Sequence, residues 1–285
     1  MTLGEWLDMW LELYVIPTGL AKSTKKGYTY AVRAIPAALA SITLEELSPL
    51  DLRRWLLLRA EEAPRAAQIA RVMLHRALTI AAKVGLCRPG LVDDDVCPQV
   101  VHKARKASVL THEQLIRYMH AAAATDVAPA LMLMCCGLRR GEAMGARWEH
   151  VDLDAGTLLV AGQRLTCEQV EASPLKSAAA YRLVELPLVL LSVLRRLPRD
   201  ESPWLCSCGP HKLYVRHAEL LEELGLPRVT LHGLRHSFAT AAAASGVPIK
   251  VLQVSLGHAK YGLTADLYAD HLPSLSTVSF GLFSA

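Results

Sequence analysis

Apolar positions recur at helical spacing through most of the first hundred residues. Trp6, Leu7, Trp10 and Leu13 fall on one face of a helix read from Leu3 to Tyr14. Ser23 or Thr24 serves as the N-cap of a second helix extending through Leu39. Ser48-Pro49 opens a third, with Ser as cap and Pro in the first turn. Pro64 starts a fourth that runs to about Val84, just before Gly85. Asp93 to Pro98 breaks the pattern, and Val100 to Val109 reads as a basic linker.

Beyond the linker the pattern changes. Thr111-His112-Glu113-Gln114 has capping-box spacing and opens a helix. An apolar helix from Ala128 to Cys136 ends at Gly137. Between Val151 and Pro187 the alternation predicts strands at Thr157 to Val160, Arg164 to Val170 and Arg182 to Leu186. Gly156, Gly162 and Ser173-Pro174 punctuate them as turns. After Pro187 the chain reads helical again. The expected fold class is mainly α, of α+β type: a helical first domain (1–100), a linker (101–109) and a helical second domain with one small antiparallel sheet (110–285).

Composition excludes some classes. Hydrophobic residues are 52% and charged residues 20% of the 285, a globular balance rather than a disordered one. No apolar run approaches the ~20 residues of a membrane-spanning helix, and Met1 to Trp10 lacks a basic leader. Seven cysteines at irregular spacing fit reduced thiols in a cytoplasmic protein. The net charge of +4 is unevenly placed. Residues 1–108 hold 15 Lys and Arg against 11 Asp and Glu; residues 109–285 hold 16 of each. The excess lies where a polyanion would be met. Between Glu62 and Asp93 stand Arg65, Arg71, Arg76, Lys83 and Arg88 with no acid among them. On a helix, Arg65, Gln68, Arg76, Thr79 and Lys83 share a face, while Ile69, Met73, Ile80 and Val84 fall largely elsewhere. Lys22, Lys25, Lys26 and Arg33 form a second acid-free cluster. A solvated basic face has the same composition, so charge alone leaves both readings open.

Four short stretches in the second domain carry chemistry: Gly137-Leu138-Arg139-Arg140-Gly141-Glu142, Pro174-Leu175-Lys176-Ser177, His232-Gly233-Leu234-Arg235-His236, and Leu256-Gly257-His258 with Tyr268 ten residues later. Taken singly, each has an ordinary structural explanation. In this order they resemble the tyrosine recombinase (phage integrase) family, whose pattern is Arg…Lys…His-x-x-Arg…His/Trp…Tyr. The resemblance covers nearly the whole chain, and Lys22-Ser23-Thr24…Tyr28 looks like that family's helical core-binding domain. It implies the fold of DNA breaking-rejoining enzymes.

The resemblance assigns roles to these residues. Two guanidiniums, Arg139 and Arg235, would clamp the nonbridging oxygens of a DNA phosphate at any working pH. Tyr268 would be the nucleophile and Lys176, the one Lys between Val151 and Pro187, the proton donor to the leaving 5′-oxygen. His232 would act as general acid/base and His258 as hydrogen-bond donor to the phosphate. Glu142, one turn after Arg139, would orient the site. Lys22, Lys25, Lys26, Arg65, Arg76 and Lys83 would contact DNA. Arg140 competes with Arg139, and Tyr261, three residues after His258, competes with Tyr268; the family register favours the first of each pair. Gly233 stands where the family usually has Asp, which loosens the start of a helix without removing a catalytic group. The ten-residue gap before Tyr268 is at the long end of the family range.

Neither metal nor cofactor is implied. His232 and His236 at i,i+4 lack the neighbouring Glu of a metalloprotease, and Cys206-x-Cys208 beside His211 lacks a second pair for zinc. The expected function is site-specific cleavage and religation of DNA through a 3′-phosphotyrosyl link, in integration or excision of a mobile element or phage. A chromosome- or plasmid-dimer resolvase of the same family, and a DNA-binding regulator without catalysis, are the alternatives. A helical metal-dependent hydrolase using His232, His236 and His258 is the rival from another class. Expected partners are double-stranded recombination sites, three further copies in a tetramer on DNA, and an accessory directionality protein, with no membrane. No arm-binding domain is read before Trp6. The twelve residues after Pro273 are apolar and uncharged, the composition of a tail that docks on a neighbouring subunit.

Overall fold

The computed structural model describes residues 1–95, 97, 108–166, 175, 180–199 and 202–257. The chain divides into two compact units, Met1–Arg105 and Lys106–Ala285.

In the first unit, α1 (Leu3–Trp10) starts in a capping box: Glu5 N–H donates to the Thr2 hydroxyl (3.3 Å) and Thr2 N–H to the Glu5 carboxylate (2.8 Å). Leu11–Val15 continues it as a π-turn. The second helix, α2 (Lys22–Arg33), departs from expectation at both ends. Its N-cap is Ala21, so Ser23 and Thr24 fall inside the helix rather than before it. It stops at Arg33 because Pro36 disfavours helical backbone in the residue before it, and α3 (Ala37–Ala40) restarts after that break. Ser48 caps α4 (Pro49–Glu62) in a box with Asp51. The longest element, α5 (Pro64–Lys83), buries Ala67, Ala70, Met73, Leu74, Ala77, Leu78 and Ala81. Its small residues admit α1 closely, and the Trp6 indole N–H donates to Ala77 O (3.1 Å).

In the second unit, Thr111 and Gln114 form the capping box of α6 (His112–Ala122). All eight residues of α7 (Ala128–Cys135) are buried, which leaves it no polar face. It lies at the centre of the core with Leu190, Leu194, Leu213, Leu220 and Leu234 around it, each such side chain worth about 1.5–3 kcal/mol on burial. Then come α8 (Arg140–Met144) and a three-stranded antiparallel sheet in the order β1 (Val151–Asp152), β2 (Thr157–Val160), β3 (Arg182–Glu185). Leu158 faces Val151 on one side and Val184 on the other. The strand expected from Arg164 does not form over Arg164–Thr166. There the backbone N–H of Arg164 donates to Gly141 O (2.8 Å) and its buried guanidinium binds the carbonyls of Cys206 and Cys208. Residues 167–170 of that expected strand lie outside the described part. Among the described residues four helices follow the sheet: α9 (Leu188–Arg196), α10 (Pro210–Glu223), α11 (Leu231–Ala244) and α12 (Ile249–Leu256). Among the described residues no helix is long and apolar enough to cross a membrane.

Candidate active site

The site begins at the break between α7 and α8. Gly137 has φ +88°, and a Cβ there would meet the Phe238 ring at 2.7 Å, so only glycine makes this turn. The turn aims the Gly137 carbonyl at Arg235, whose Nη1 donates to it (2.7 Å). Two residues on, Arg139 is the N-cap of α8. Its backbone N–H donates to Glu142 Oε2 (2.9 Å) and its Nη1 to Glu142 Oε1 (2.6 Å). One carboxylate therefore caps the helix and fixes the guanidinium. Arg139 keeps 38% of its side chain exposed, whereas that of Glu142 keeps 3%. Arg140 leaves the site: it donates to the Tyr214 hydroxyl (2.8 Å) and lies over that ring.

Arg235 comes from the second turn of α11 and His232 from the first. The helix start is not loosened by Gly233, because the Thr230 hydroxyl accepts from Gly233 N–H (3.0 Å). A Cβ at Gly233 would stand 3.1 Å from Val229 Cβ and 3.4 Å from Ser108 O, so the small residue fits a close approach. Arg235 is buried, with Nη2 donating to Leu256 O (2.6 Å) and Nη1 3.7 Å from Glu142 Oε2. The rings of His232 and His236 meet edge to face at 4.5 Å.

A third guanidinium, not anticipated from sequence, completes the cluster. Arg182 on β3 is buried, and its Nη2 donates to Glu142 Oε2 (3.0 Å). Strand alternation puts Arg182 on the face of Val184, with Leu183 and Glu185 on the other face. In the protein it is Arg182 that is buried, while Leu183 is 64% exposed. The three arginines also share the end of α12: Arg182 Nε donates to Ser255 O (2.6 Å), Arg235 Nη2 to Leu256 O and Arg139 Nη2 to Gly257 O (3.0 Å). Three successive carbonyls at a helix C-terminus thus face three guanidiniums, the sense the helix dipole favours. Gly257 ends the helix in the left-handed conformation, φ +64°.

Within the described residues the cluster sets three guanidiniums against one carboxylate, an excess of two positive charges. Burial pushes the Glu142 carboxyl up, but Arg182 and Arg139 more than offset it and hold it below the usual carboxylate range. His232 is lowered from the usual imidazole range, first by desolvation of its inner side, then by His236, Arg235 and Arg139. Its outer side stays exposed, so the neutral ring can exchange a proton with whatever occupies the site. This is a preorganised anion receptor with a neutral imidazole at its edge.

The structure brings together Arg139, Glu142, His232 and Arg235 from the residues read in sequence. Lys176, His258, Tyr268 and Tyr261 lie outside the described residues; Leu175 packs on the core, and α12 ends at Leu256, with Gly257 as its C-cap just before His258. In the first unit, Arg65, Arg76 and Lys83 are exposed along α5, while Arg71 is buried, donating to Cys97 O (2.6 Å) and paired with Asp94. Val84, expected on the apolar side, is exposed because it follows the last helical residue. Lys22 and Lys26 are exposed on α2, and Lys25 donates to Ile16 O (2.7 Å). Among the described residues no group of three His, Cys, Asp or Glu could hold a metal ion.

A family model described as the phage integrase family matches residues 208–274. A tyrosine recombinase XerC of Methylobacterium nodulans is 35% identical over 149 residues, 50% of this chain and 44% of the relative. A putative prophage phiRv2 integrase of Mycobacterium tuberculosis is 25% identical over 283 residues, 91% of this chain and 72% of the relative. The chain spans about half the length of two of the XerC-type relatives it matches. The fold is shared with the Tn1549 transposon integrase, solved with transposon right end DNA, at TM-score 0.79 and 17% identity over 96% of both chains. The matched segment contains α11 and α12, with His232, Arg235 and the carbonyls that receive the arginines. Fold, matched segment and relatives support a tyrosine recombinase, the family this chain resembles.

Proposed function

We propose that this protein is a site-specific DNA recombinase that cuts and rejoins strands through a 3′-phosphotyrosyl link at Tyr268. The observation that carries the reading is the Arg139–Glu142–Arg182–Arg235 cluster, an excess positive charge held rigid before any ligand arrives. Such a cluster meets the charge that develops on a phosphodiester's nonbridging oxygens during transesterification. Tyr268 attacks the phosphorus, the 5′-oxygen leaves with a proton from Lys176, and His232 exchanges the nucleophile's proton. A free 5′-hydroxyl then reverses the reaction. His258 donates to the phosphate. Arg182 is a positioning residue: it holds Glu142, which holds Arg139.

Substrate and assembly belong to the same proposal. The exposed Lys22, Lys26, Arg65, Arg76 and Lys83, with Lys25, form the non-catalytic DNA contacts of residues 1–100. Residues 110–285 carry the chemistry, on two sites held by a tetramer, with an accessory protein setting direction. Mobile-element integration or excision is the role in this proposal and dimer resolution its alternative; a prophage integrase and a XerD of Proteus mirabilis each align over 91% of this chain.

The test uses a pool of duplexes with a central nick and random flanks, which traps cleaved product when a short fragment diffuses away. A protein–DNA species that survives denaturation, and forms equally well in EDTA, is expected. Formation only with an added divalent ion would overturn the mechanism and favour a metal-dependent hydrolase.

A further inference from the structure

The loop between α9 and α10 carries a feature that the recombinase reading leaves unused. Cys206 and Cys208 place their sulfurs 3.1 Å apart, with Cys206 buried and Cys208 half-buried. A zinc ion would hold two thiolates at about 2.3 Å each and hence about 3.8 Å from one another, and it would need further ligands. None of the described residues supplies them. The spacing is instead that of two sulfurs one short movement from a bond.

The surroundings fix this arrangement. Arg164 Nη2 donates to both Cys206 O (2.7 Å) and Cys208 O (2.8 Å), so one guanidinium holds the backbone on either side of Ser207. That guanidinium lies over the Trp204 ring at 5.0 Å and is buried. Leu205 N–H donates to Ala146 O (2.9 Å), which ties the loop to the chain just after α8. The remaining described thiols differ. Cys135 and Cys136 are buried in the core, where burial pushes both thiols up, and Cys87 and Cys97 are likewise raised by burial. At the pair, the hydrogen bond from Cys208 lowers Cys206 to about 7, against the effect of burial.

We infer that Cys206 and Cys208 are a reversible dithiol–disulfide site that exchanges with low-molecular-weight disulfides. The half-buried Cys208 sulfur, whose thiol is raised by its hydrogen bond to Cys206 and by burial, passes its proton to Cys206 as it attacks an external disulfide R–S–S–R and expels R–S⁻, which takes up a proton from solvent. The Cys206 sulfur then attacks the Cys208 sulfur of the mixed disulfide and expels the second R–S⁻, which takes up the Cys206 proton. The protein loses two hydrogens and two electrons, and R–S–S–R becomes two R–SH. The reverse sequence restores the thiols.

Both cysteines lie in one tryptic peptide, residues 200–212, so the test needs no variant. The native full-length chain is equilibrated with graded glutathione and glutathione disulfide, quenched in acid, alkylated, digested and weighed. The expected product is peptide 200–212 without alkyl groups and two hydrogens lighter, rising with the disulfide fraction and abolished by dithiothreitol. Its equilibrium constant should exceed that of the free synthetic peptide at least about tenfold, because the fold holds the sulfurs together. In Cys206→Ser the reaction should stop at a glutathione adduct on Cys208. Peptide 200–212 doubly alkylated at every ratio, a persistent glutathione adduct in the wild-type chain, or a constant no greater than the free peptide's would each overturn the proposal.

Discussion

Glu142 is the residue on which the site turns, because its two oxygens serve three arginines and a helix N-terminus. Glu142→Gln removes the one carboxylate of the cluster and leaves buried guanidiniums without a counter-charge. Breaking a buried pair from one side costs about 3–5 kcal/mol. A denaturant titration should show that loss, and a midpoint shift worth less than about 1 kcal/mol would mean the carbonyls of residues 255–257 suffice. Arg182→Lys should fold and bind DNA but cleave more slowly, since an ammonium cannot donate at once to Glu142, Ser255 O and Ala180 O as Arg182 does. Unchanged cleavage in that variant would remove its positioning role.

The histidines set a pH dependence of stability. His217, His232 and His236 are all lowered below the ordinary imidazole value of about 6.5, burial being the first cause in each. As pH falls below that value the unfolded chain takes up protons that the folded chain refuses, so stability is full above the window and falls on acidification through it. The Glu142 contribution has the same sign in a lower window, below the ordinary carboxylate value. Unfolding free energies at pH 7.5 and 5.5 should therefore differ, with the protein weaker at the lower pH. Equal values would contradict the lowered imidazoles.

At the scale of elements, legibility followed local chemistry. Ser48-Pro49 and Thr111…Gln114 were readable because capping is a matter of residues three apart. The boundary of α2 was not, since Ser23 and Thr24 have cap chemistry but the helix begins one residue before them, at Lys22. The strand at Arg164 failed for a tertiary reason: that side chain is held by carbonyls 42 and 44 residues away. Arg182 was missed for the same kind of reason, because its partners Glu142 and Ser255 are distant in sequence. The pattern Gly137…Glu142 and His232…Arg235 was legible since two short motifs supply it. The connection between β2 and β3 carries its own prediction. Lys176→Ala should slow cleavage by roughly 10²–10⁴-fold, the usual worth of a general acid. A substrate with a 5′-bridging sulfur, which leaves unprotonated, should recover most of that loss. If the variant cleaves the sulfur substrate no faster than the oxygen one, Lys176 acts otherwise.

For the whole molecule, charge and assembly matter more than any single contact. The net +4 sits within residues 1–108, apart from the catalytic motifs in sequence. The proposed assembly can be tested at the other end of the sequence. Leu275, Val278, Phe280, Leu282 and Phe283 follow Pro273 with no charged residue among the last twelve, and burying three such side chains is worth about 4–9 kcal/mol. If that segment docks on a neighbouring subunit, deleting residues 274–285 should leave binding of a single site intact and abolish the higher-order complex in gel shifts. Full assembly and recombination by the truncated chain would make it part of its own domain.

The central claim is that a tyrosine of this chain becomes joined to DNA, and that the tyrosine is Tyr268. The most direct measurement is to trap the covalent species on nicked DNA, digest both components and locate the nucleotide-bearing residue by mass spectrometry. The account predicts a 3′-phosphate on Tyr268, and no such species in Tyr268→Phe even though that variant still binds DNA. A phosphate on Tyr261, or a covalent species that persists in Tyr268→Phe, would contradict it.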